Sequence, residues 1–476
     1  MESTAPQPSD DATRRRSRVT ALIVACALFM QNLDSTVIST ALPTMARAFG
    51  ADPVHMNVAL TSYLLSLAVF IPASGWIADR FGAKQVFRMA IVVFTIGSVL
   101  SGQADSLGYL VCTRIFQGLG GAMMVPVGRL LLLRTVPKSE MVAAMAWLST
   151  PALLGPVLGP PIGGFIVTYF SWRVIFDINI PIGILGVILV TLFVDDVREP
   201  SDKRFDLRGL LVFGVAMASL MFAMETLGRG IVPPWVTHTA LGVGGVSVLL
   251  YIWHARNHPA PLIDFTLLRY PTFLVAVAGG TLFRIGIGAI PFLLPMMLQL
   301  TFGKSAAESG LITFASPLGA LLMKPASTRA LRMLGFRDTL LANGVLSAVL
   351  LALVGLFRPG WSEFLIYGIL ICGGFFRSLQ FTAYNALAYS DIPRPQMSAA
   401  TSFYATIQQV SMTLGVSAGA ASLTVSMAML DHATPMLLDF SIAFGVVAFF
   451  SLLSTPVSLL MPRHAAMEVS GYARRA

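Results

Sequence analysis

The sequence predicts an all-α integral membrane protein, with two six-helix bundles and two additional helices making fourteen transmembrane helices. Three observations carry that prediction. Of 476 residues, 55% are hydrophobic and only 12% charged, whereas soluble domains carry about 25% charged residues. Long apolar runs recur along the chain, and a bilayer core of ~30 Å needs about 20 apolar residues as helix. The basic residues between those runs are distributed unevenly: with the N-terminus inside, 22 of the 32 Lys and Arg fall in cytoplasmic segments and five in outside loops, as the positive-inside rule requires.

In order, the predicted spans are 19–42, 56–78, 85–103, 107–130, 141–166, 173–194, 207–227, 236–254, 272–298, 310–331, 338–357, 363–389, 398–429 and 437–460. Charges or helix breakers such as Pro43, Asp79-Arg80, Asp105 and Pro200 punctuate them. Polar segments around 195–208 and 254–270 bracket two spans, so the chain divides into a cytoplasmic tail (1–18), an N-terminal six-helix bundle (19–194), a linker with two inserted helices (195–271), a C-terminal six-helix bundle (272–460) and a second cytoplasmic tail (461–476). The halves repeat weakly: glycine and basic residues between spans two and three, Gly75–Lys84, recur between spans ten and eleven, Arg329–Arg337.

Composition excludes several function classes. A net charge of +9 belongs to cytoplasmic loops of a membrane protein rather than to nucleic-acid binding. Cys26, Cys112 and Cys372 lie in apolar runs without metal or redox spacing. No metal, cofactor or phosphate-binding loop is expected, and no enzyme, since no nucleophile–base pair stands out within the spans. The partners expected are a small-molecule substrate, protons and the lipid bilayer, with no nucleic acid, and the chain is expected to work as a monomer.

Five basic residues fall inside spans: Arg114, Arg129, Arg284, Lys324 and Arg377. Arg129 nears the inner end of its span and can snorkel. Asp34 and Arg114 each lie about eight residues from the outer end of their spans, hence at a common depth of ~12 Å. Charge at depth costs about 2.5–3.5 kcal/mol, so the two should pair or face water. Asp34 would take a proton when Arg114 swings away, because burial disfavours a carboxylate without a cation beside it; a permanent structural ion pair is the alternative. Arg284, Lys324 and Arg377 sit near the midplane with no carboxylate at their depth in spans nine to fourteen. Forked guanidinium donors suit a carboxylate or phosphate, so these cations, with Gln380 and Asn385 on the same span as Arg377 and with Gln117, are expected to line a substrate cavity that favours an acidic group. Packing against carbonyls and amides alone is the other reading.

In span five, Gly155, Gly159 and Gly163 recur every fourth residue, beside Pro156, Pro160, Pro161 and Gly164. Small residues allow close helix approach and prolines bend the helix. A pivot and seal at the interface between the halves is one reading; ordinary packing is the other. In the loop Gly75-Trp-Ile-Ala-Asp79-Arg80-Phe-Gly82-Ala-Lys84, Asp79 can pair with bases near a helix end and latch the cytoplasmic side. Alternatively the segment is a tight turn in which Gly82 supplies positive φ.

Four segments in this order resemble the major facilitator superfamily and, within it, the fourteen-helix drug:proton antiporter branch (QacA and EmrB type) and its MdtD-like members: Leu33-Asp34-Ser-Thr36-Val-Ile-Ser-Thr-Ala-Leu-Pro43, Gly75–Lys84, Arg114-Ile-Phe-Gln117-Gly118-Leu-Gly120-Gly121, and Gly155–Gly164. The following Trp172–Gly183 segment fits the family's sixth span except for Asp177, where an aromatic or aliphatic residue is usual. The resemblance implies a major facilitator fold, proton coupling through Asp34 with Arg114, a cytoplasmic gate at Gly75, Asp79, Arg80, Gly82 and Lys84, and, through the antiporter motif, export. The expected function is therefore proton-coupled, multidrug-type efflux in a bacterial inner (plasma) membrane, with both termini cytoplasmic. A dedicated organic-anion or metabolite exporter is the alternative, with an importer or a non-transporting sensor further behind.

Overall fold

The computed structural model describes residues 10–50, 57–137, 140–195, 204–226, 233–463 and 465–472, with the side chains of 10–18, 39, 40, 43, 57, 147, 149–153, 156, 157, 160, 225, 306 and 307 outside the description. Parts of both tails and of the linker, Arg198 and Lys203 among them, thus lie outside the described residues. The chain is helical throughout: α1 (Asp10–Phe49), α2 (Asn57–Phe70), α3 (Ser74–Phe81), α4 (Ala83–Gly102), α5 (Leu107–Thr135), α6 (Met141–Tyr169), α7 (Val174–Asp177), α8 (Asn179–Phe193), α9 (Leu207–Thr226), α10 (Pro234–Asn257), α11 (Pro271–Gly288), α12 (Ile290–Thr301), α13 (Ala306–Val354), α14 (Glu363–Leu387), α15 (Met397–Leu430), α16 (Leu437–Val457) and α17 (Met467–Ser470). Among the described residues, twelve helical stretches are long and apolar enough to cross a bilayer, so this is a multi-pass membrane protein.

Two compact units emerge, one from the described parts of Met1–Tyr63 and Ile77–Asp202, the other from Leu64–Trp76 and Lys203–Ala476. In the first unit α1 packs along α6, α4 along α5, and α8 against both α1 and α4. Its core gathers Leu33, Val37, Ile38, Leu110, Ile166, Trp172 and Phe176. The start of α5 is set by Ser106, whose side chain accepts from the Tyr109 amide at 3.3 Å. In the second unit α13 lies along α14, α11 packs on α15 and α16, and α9 pairs with α10. Leu293, Met297, Leu351, Phe357, Leu370, Phe440 and Phe444 form its core.

Two glycines mark corresponding corners of the units. Gly82 precedes α4 with φ +87°, and Gly335 interrupts α13 with φ +71°. Both conformations lie in the region that only glycine enters without strain. Gly82 thus supplies the positive φ of a tight turn, and Gly335 occupies the matching place in the sequence repeat. The segment expected as one span at 272–298 is one candidate membrane stretch, Pro271–Thr301, in which α11 and α12 meet at Ala289, where Pro291 lacks an amide donor and Pro295 follows within α12.

Candidate functional site

The sharpest pair expected from sequence is formed, in the first unit. Asp34 on α1 and Arg114 on α5 meet with Arg114 Nη1 2.7 Å from Asp34 Oδ2, their side chains 1% and 0% exposed. Arg114 Nη1 also donates to Gln117 Oε1 at 2.6 Å, and Arg114 Nε donates to the Ala59 carbonyl at 3.3 Å. Gln117 Nε2 returns a hydrogen bond to Asp34 Oδ1 at 3.0 Å. Gln117, grouped by sequence with the cavity cations, therefore bridges the ion pair, since it lies one turn along α5 from Arg114 on the same helix face.

The sequence reading gave no role to Asn179, at the start of α8. Its Nδ2 donates to Asp34 Oδ1 at 2.8 Å and to Ser98 Oγ at 2.9 Å. Ser98 in turn donates to the Phe176 carbonyl at 2.9 Å. The carboxylate thus accepts from Arg114, Gln117 and Asn179, donors drawn from two helices beyond its own. An amide seven residues after a buried tryptophan is a weak sequence signal, whereas its neighbour Asp177 drew attention and is exposed. Aromatic walls complete the site: the Arg114 guanidinium carbon is 4.4 Å from the Tyr63 ring centroid and 6.0 Å from that of Phe176, near enough for cation–π attraction. Desolvating two ions is repaid only where geometry and added hydrogen bonds are good; this pair is close and hydrogen-bonded on both sides, with Arg114 Nη2 left without a hydrogen-bond partner.

The antiporter-motif glycines make this arrangement possible by bringing α6 against α1. A Cβ on Gly159 would lie 2.1 Å from Thr36 Oγ1, and one on Gly155 would lie 2.7 Å from Asn32 Cβ. Thr36 Oγ1 also donates to the Gly155 carbonyl at 3.2 Å. Gly155 and Gly159 therefore pack α6 on α1 inside one unit, next to the helix that carries Asp34. Gly163 is buried, while a Cβ on Gly164 would meet nothing within 4 Å. The side chains of Pro156 and Pro160 lie outside the described ones.

At the expected gate, Asp79 Oδ1 accepts from Arg134 Nη2 at 3.0 Å. Sequence proximity had suggested Arg80 and Lys84 as the bases. Arg80 is exposed, and Lys84 Nζ instead donates to the Thr191 carbonyl at 3.0 Å, tying the start of α4 to the end of α8. In the other unit Gly75 packs so tightly that a Cβ would lie 2.7 Å from the Ser398 carbonyl oxygen, and Ser402 Oγ donates to the Pro72 carbonyl at 2.7 Å.

The second unit holds the three cations in a different setting. Arg284 on α11, fully buried, donates through Nη2 to the Tyr404 hydroxyl, and its guanidinium carbon lies 4.8 Å from the Tyr404 ring centroid and 5.7 Å from that of Phe381. Its Nε and Nη1 have no hydrogen-bond partner. Arg377 Nη2 donates to Ser316 Oγ at 2.5 Å, leaving Nη1 without one. Lys324 Nζ donates to Thr382 Oγ1 at 3.1 Å. Among the described residues none of the three has a carboxylate partner. All three touch or belong to α14 between Arg377 and Thr382, a rise of about 7.5 Å. Gln380 is taken up by the α13–α14 contact, accepting from Asn343 Nδ2 at 2.7 Å and donating to the Leu340 carbonyl at 3.2 Å. Asn385 is buried with Oδ1 unpartnered.

The helical units and buried charges belong to a known class. A family model described as the Major Facilitator Superfamily matches residues 24–416. The chain is 40% identical over 396 residues to "Putative multidrug resistance protein MdtD" of Klebsiella pneumoniae, an alignment spanning 83% of each chain. It is 38% identical over 395 residues to the protein of that description from Salmonella typhi, over 83% of this chain and 84% of the relative. Among solved structures, the human organic anion transporter MFSD10 superposes with TM-score 0.64 at 14% identity, covering 95% of this chain and all of the other. The proton:xylose symporter XylE gives 0.65 at 14% identity, over 93% of this chain and 95% of the other; at such identity these likenesses establish the fold alone. The chain belongs to the major facilitator superfamily and is a membrane transporter, not an enzyme.

Proposed function

We propose that this protein is a proton-coupled antiporter that exports small molecules, of multidrug type as its relatives' name suggests, and that it favours substrates with an acidic group. The observation that carries the acidic preference is the set of guanidinium donors on Arg284 and Arg377 that meet no carboxylate and no other acceptor. Unsatisfied charged donors in a water-poor interior are costly, and a carboxylate or phosphate satisfies them with paired hydrogen bonds. A dedicated exporter of organic anions is the second reading, favoured by the same observation.

Proton coupling rests on Asp34. Its charge is supported by three donors, and loss of Arg114 from that set would leave a buried carboxylate whose cheapest state is protonated. Proton uptake and guanidinium release are thus opposite sides of one exchange. Asp79 with Arg134 is the proposed cytoplasmic gate, and Gly155 and Gly159 hold the helix that presents Asp34.

The proposed topology has fourteen spans in a bacterial inner membrane, both termini cytoplasmic, in a protein that works as a monomer. Support for fourteen comes from two places. Helix α13 is 49 residues long and turns at Gly335, so it contains two crossings, and α6 has the length of one more. The pairing of α9 with α10 fits a two-helix insertion between bundles at 19–194 and 272–460. The test is efflux from proteoliposomes, comparing small carboxylates with cationic drugs in Arg284→Ala, Lys324→Ala and Arg377→Ala. Selective loss of anion efflux is expected; equal loss for both charges rejects the acidic preference.

A further inference from the structure

The beginning of α9 and the end of α10 bring three ligand-type side chains to one point. Asp206 immediately precedes α9 and is 3% exposed. His254 lies in the last turn of α10, and His258 follows it by four residues as the residue after the helix, the spacing that puts two side chains on one face. One ligand atom from each of the three lies within 4.8 Å of the others. His254 Nε2 is 2.8 Å from Asp206 Oδ1, which also accepts from the Gly209 amide at 2.8 Å. The other carboxylate oxygen, Oδ2, is buried without a hydrogen-bond partner. Space for it exists because residue 209 is glycine: a Cβ there would lie 2.1 Å from Oδ2. A buried carboxylate oxygen with no donor is costly unless a cation meets it.

We propose that Asp206, His254 and His258 bind a divalent transition-metal ion such as zinc. Two imidazoles and one carboxylate are a donor set that suits zinc and its neighbours, whereas calcium and magnesium select all-oxygen cages. Three protein ligands leave a fourth, tetrahedral position for water. Ligand atoms about 2.1 Å from one ion stand at most ~4.2 Å apart, so the widest present separation, up to 4.8 Å, closes by a small side-chain rotation. His258 contributes the adjustable ring. Its Nδ1 now accepts from the Ala260 amide at 3.2 Å; ligation through Nε2 moves the ring proton to Nδ1 and gives up that bond. The imidazoles of His254 and His258 stand 5.0 Å apart at 28° and must tilt to converge. The ion would clasp the start of α9 to the end of α10 and supply the charge that Asp206 Oδ2 lacks.

The test uses the full-length protein purified without a polyhistidine tag, titrated with Co²⁺ for its visible ligand-field band and with Zn²⁺ for thermal stabilisation. One equivalent bound, with a tetrahedral Co²⁺ spectrum displaced by Zn²⁺, is expected. Outer-shell losses already weaken metal sites about 10–100-fold, so Asp206→Asn and His258→Gln should each weaken binding at least that much. His258 is partly exposed, so His258→Gln should elute as wild type does on size exclusion and give a readout free of misfolding. Absence of saturable one-to-one binding by the wild type, or binding undiminished in well-folded His258→Gln, overturns the proposal.

Discussion

The two units treat buried charge in opposite ways. In the first, Asp34 and Arg114 neutralise each other, and Gln117 and Asn179 donate to the carboxylate oxygen that Arg114 does not reach. In the second, Arg284, Lys324 and Arg377 are met by hydroxyls and aromatic faces, with guanidinium nitrogens left over. The difference lies in the partners: Arg114 meets a carboxylate and keeps one unpartnered nitrogen, Nη2, whereas Arg284 and Arg377 keep unpartnered nitrogens and meet no carboxylate; in the proposed mechanism the first cluster exchanges a proton for its cation and the second takes a negative guest.

The largest expected effect breaks the first half of that comparison. Arg114→Ala strands Asp34 in a buried site, and removing one member of a buried pair costs about 3–5 kcal/mol. Thermal melting in detergent should show it, and Asp34→Ala combined with Arg114→Ala should recover much of the loss. A double variant as unstable as the single one would mean that the pair is not the unit of stability.

Next comes Asn179→Ala, which removes one donor to a charged acceptor and so costs about 1.5–3 kcal/mol, read by the same melting measurement; no change would remove Asn179 from the site. Gly159→Leu tests the scaffold beneath it. Overpacking costs about 1–3 kcal/mol, because Thr36 already occupies that space. Gly164→Ala, which meets open space, should leave melting unchanged, and equal sensitivity at the two positions would contradict the assigned α1–α6 packing.

A small stability effect sharpens the second half. Arg284→Met strands no carboxylate, so its melting change should stay below about 1 kcal/mol while anion efflux falls. A loss as large as that of Arg114→Ala would reveal a structural partner for Arg284 and erase the contrast.

Much of this was legible in the sequence for physical reasons. Apolar run length and the placement of Lys and Arg give the membrane class, and a charge too costly to bury alone announces itself, as Asp34, Arg114, Arg284, Lys324 and Arg377 did. Beyond the Asp34–Arg114 pair, partner choice was not legible, because it depends on how helices rotate against each other. Gln117 and Asn179 are neutral amides whose burial carries no composition signal, yet both hydrogen-bond Asp34. Arg134 is the base for Asp79 although it lies 55 residues away, while the adjacent Arg80 faces outward. Gly155 and Gly159 were visible as a small-residue stripe, but only the structure assigns the face to α1. Asp206 stands at one end of the inserted helix pair and His254 and His258 at the other, so the four-residue spacing of the two imidazoles finds its carboxylate only once α9 and α10 fold together.

Substrate efflux from proteoliposomes under an imposed pH gradient, wild type against Asp34→Asn, tests the central claim most directly. Asparagine keeps the shape and cannot exchange a proton, so gradient-driven efflux should vanish while substrate exchange without a gradient survives. Full gradient-driven efflux by Asp34→Asn would contradict proton coupling at this site.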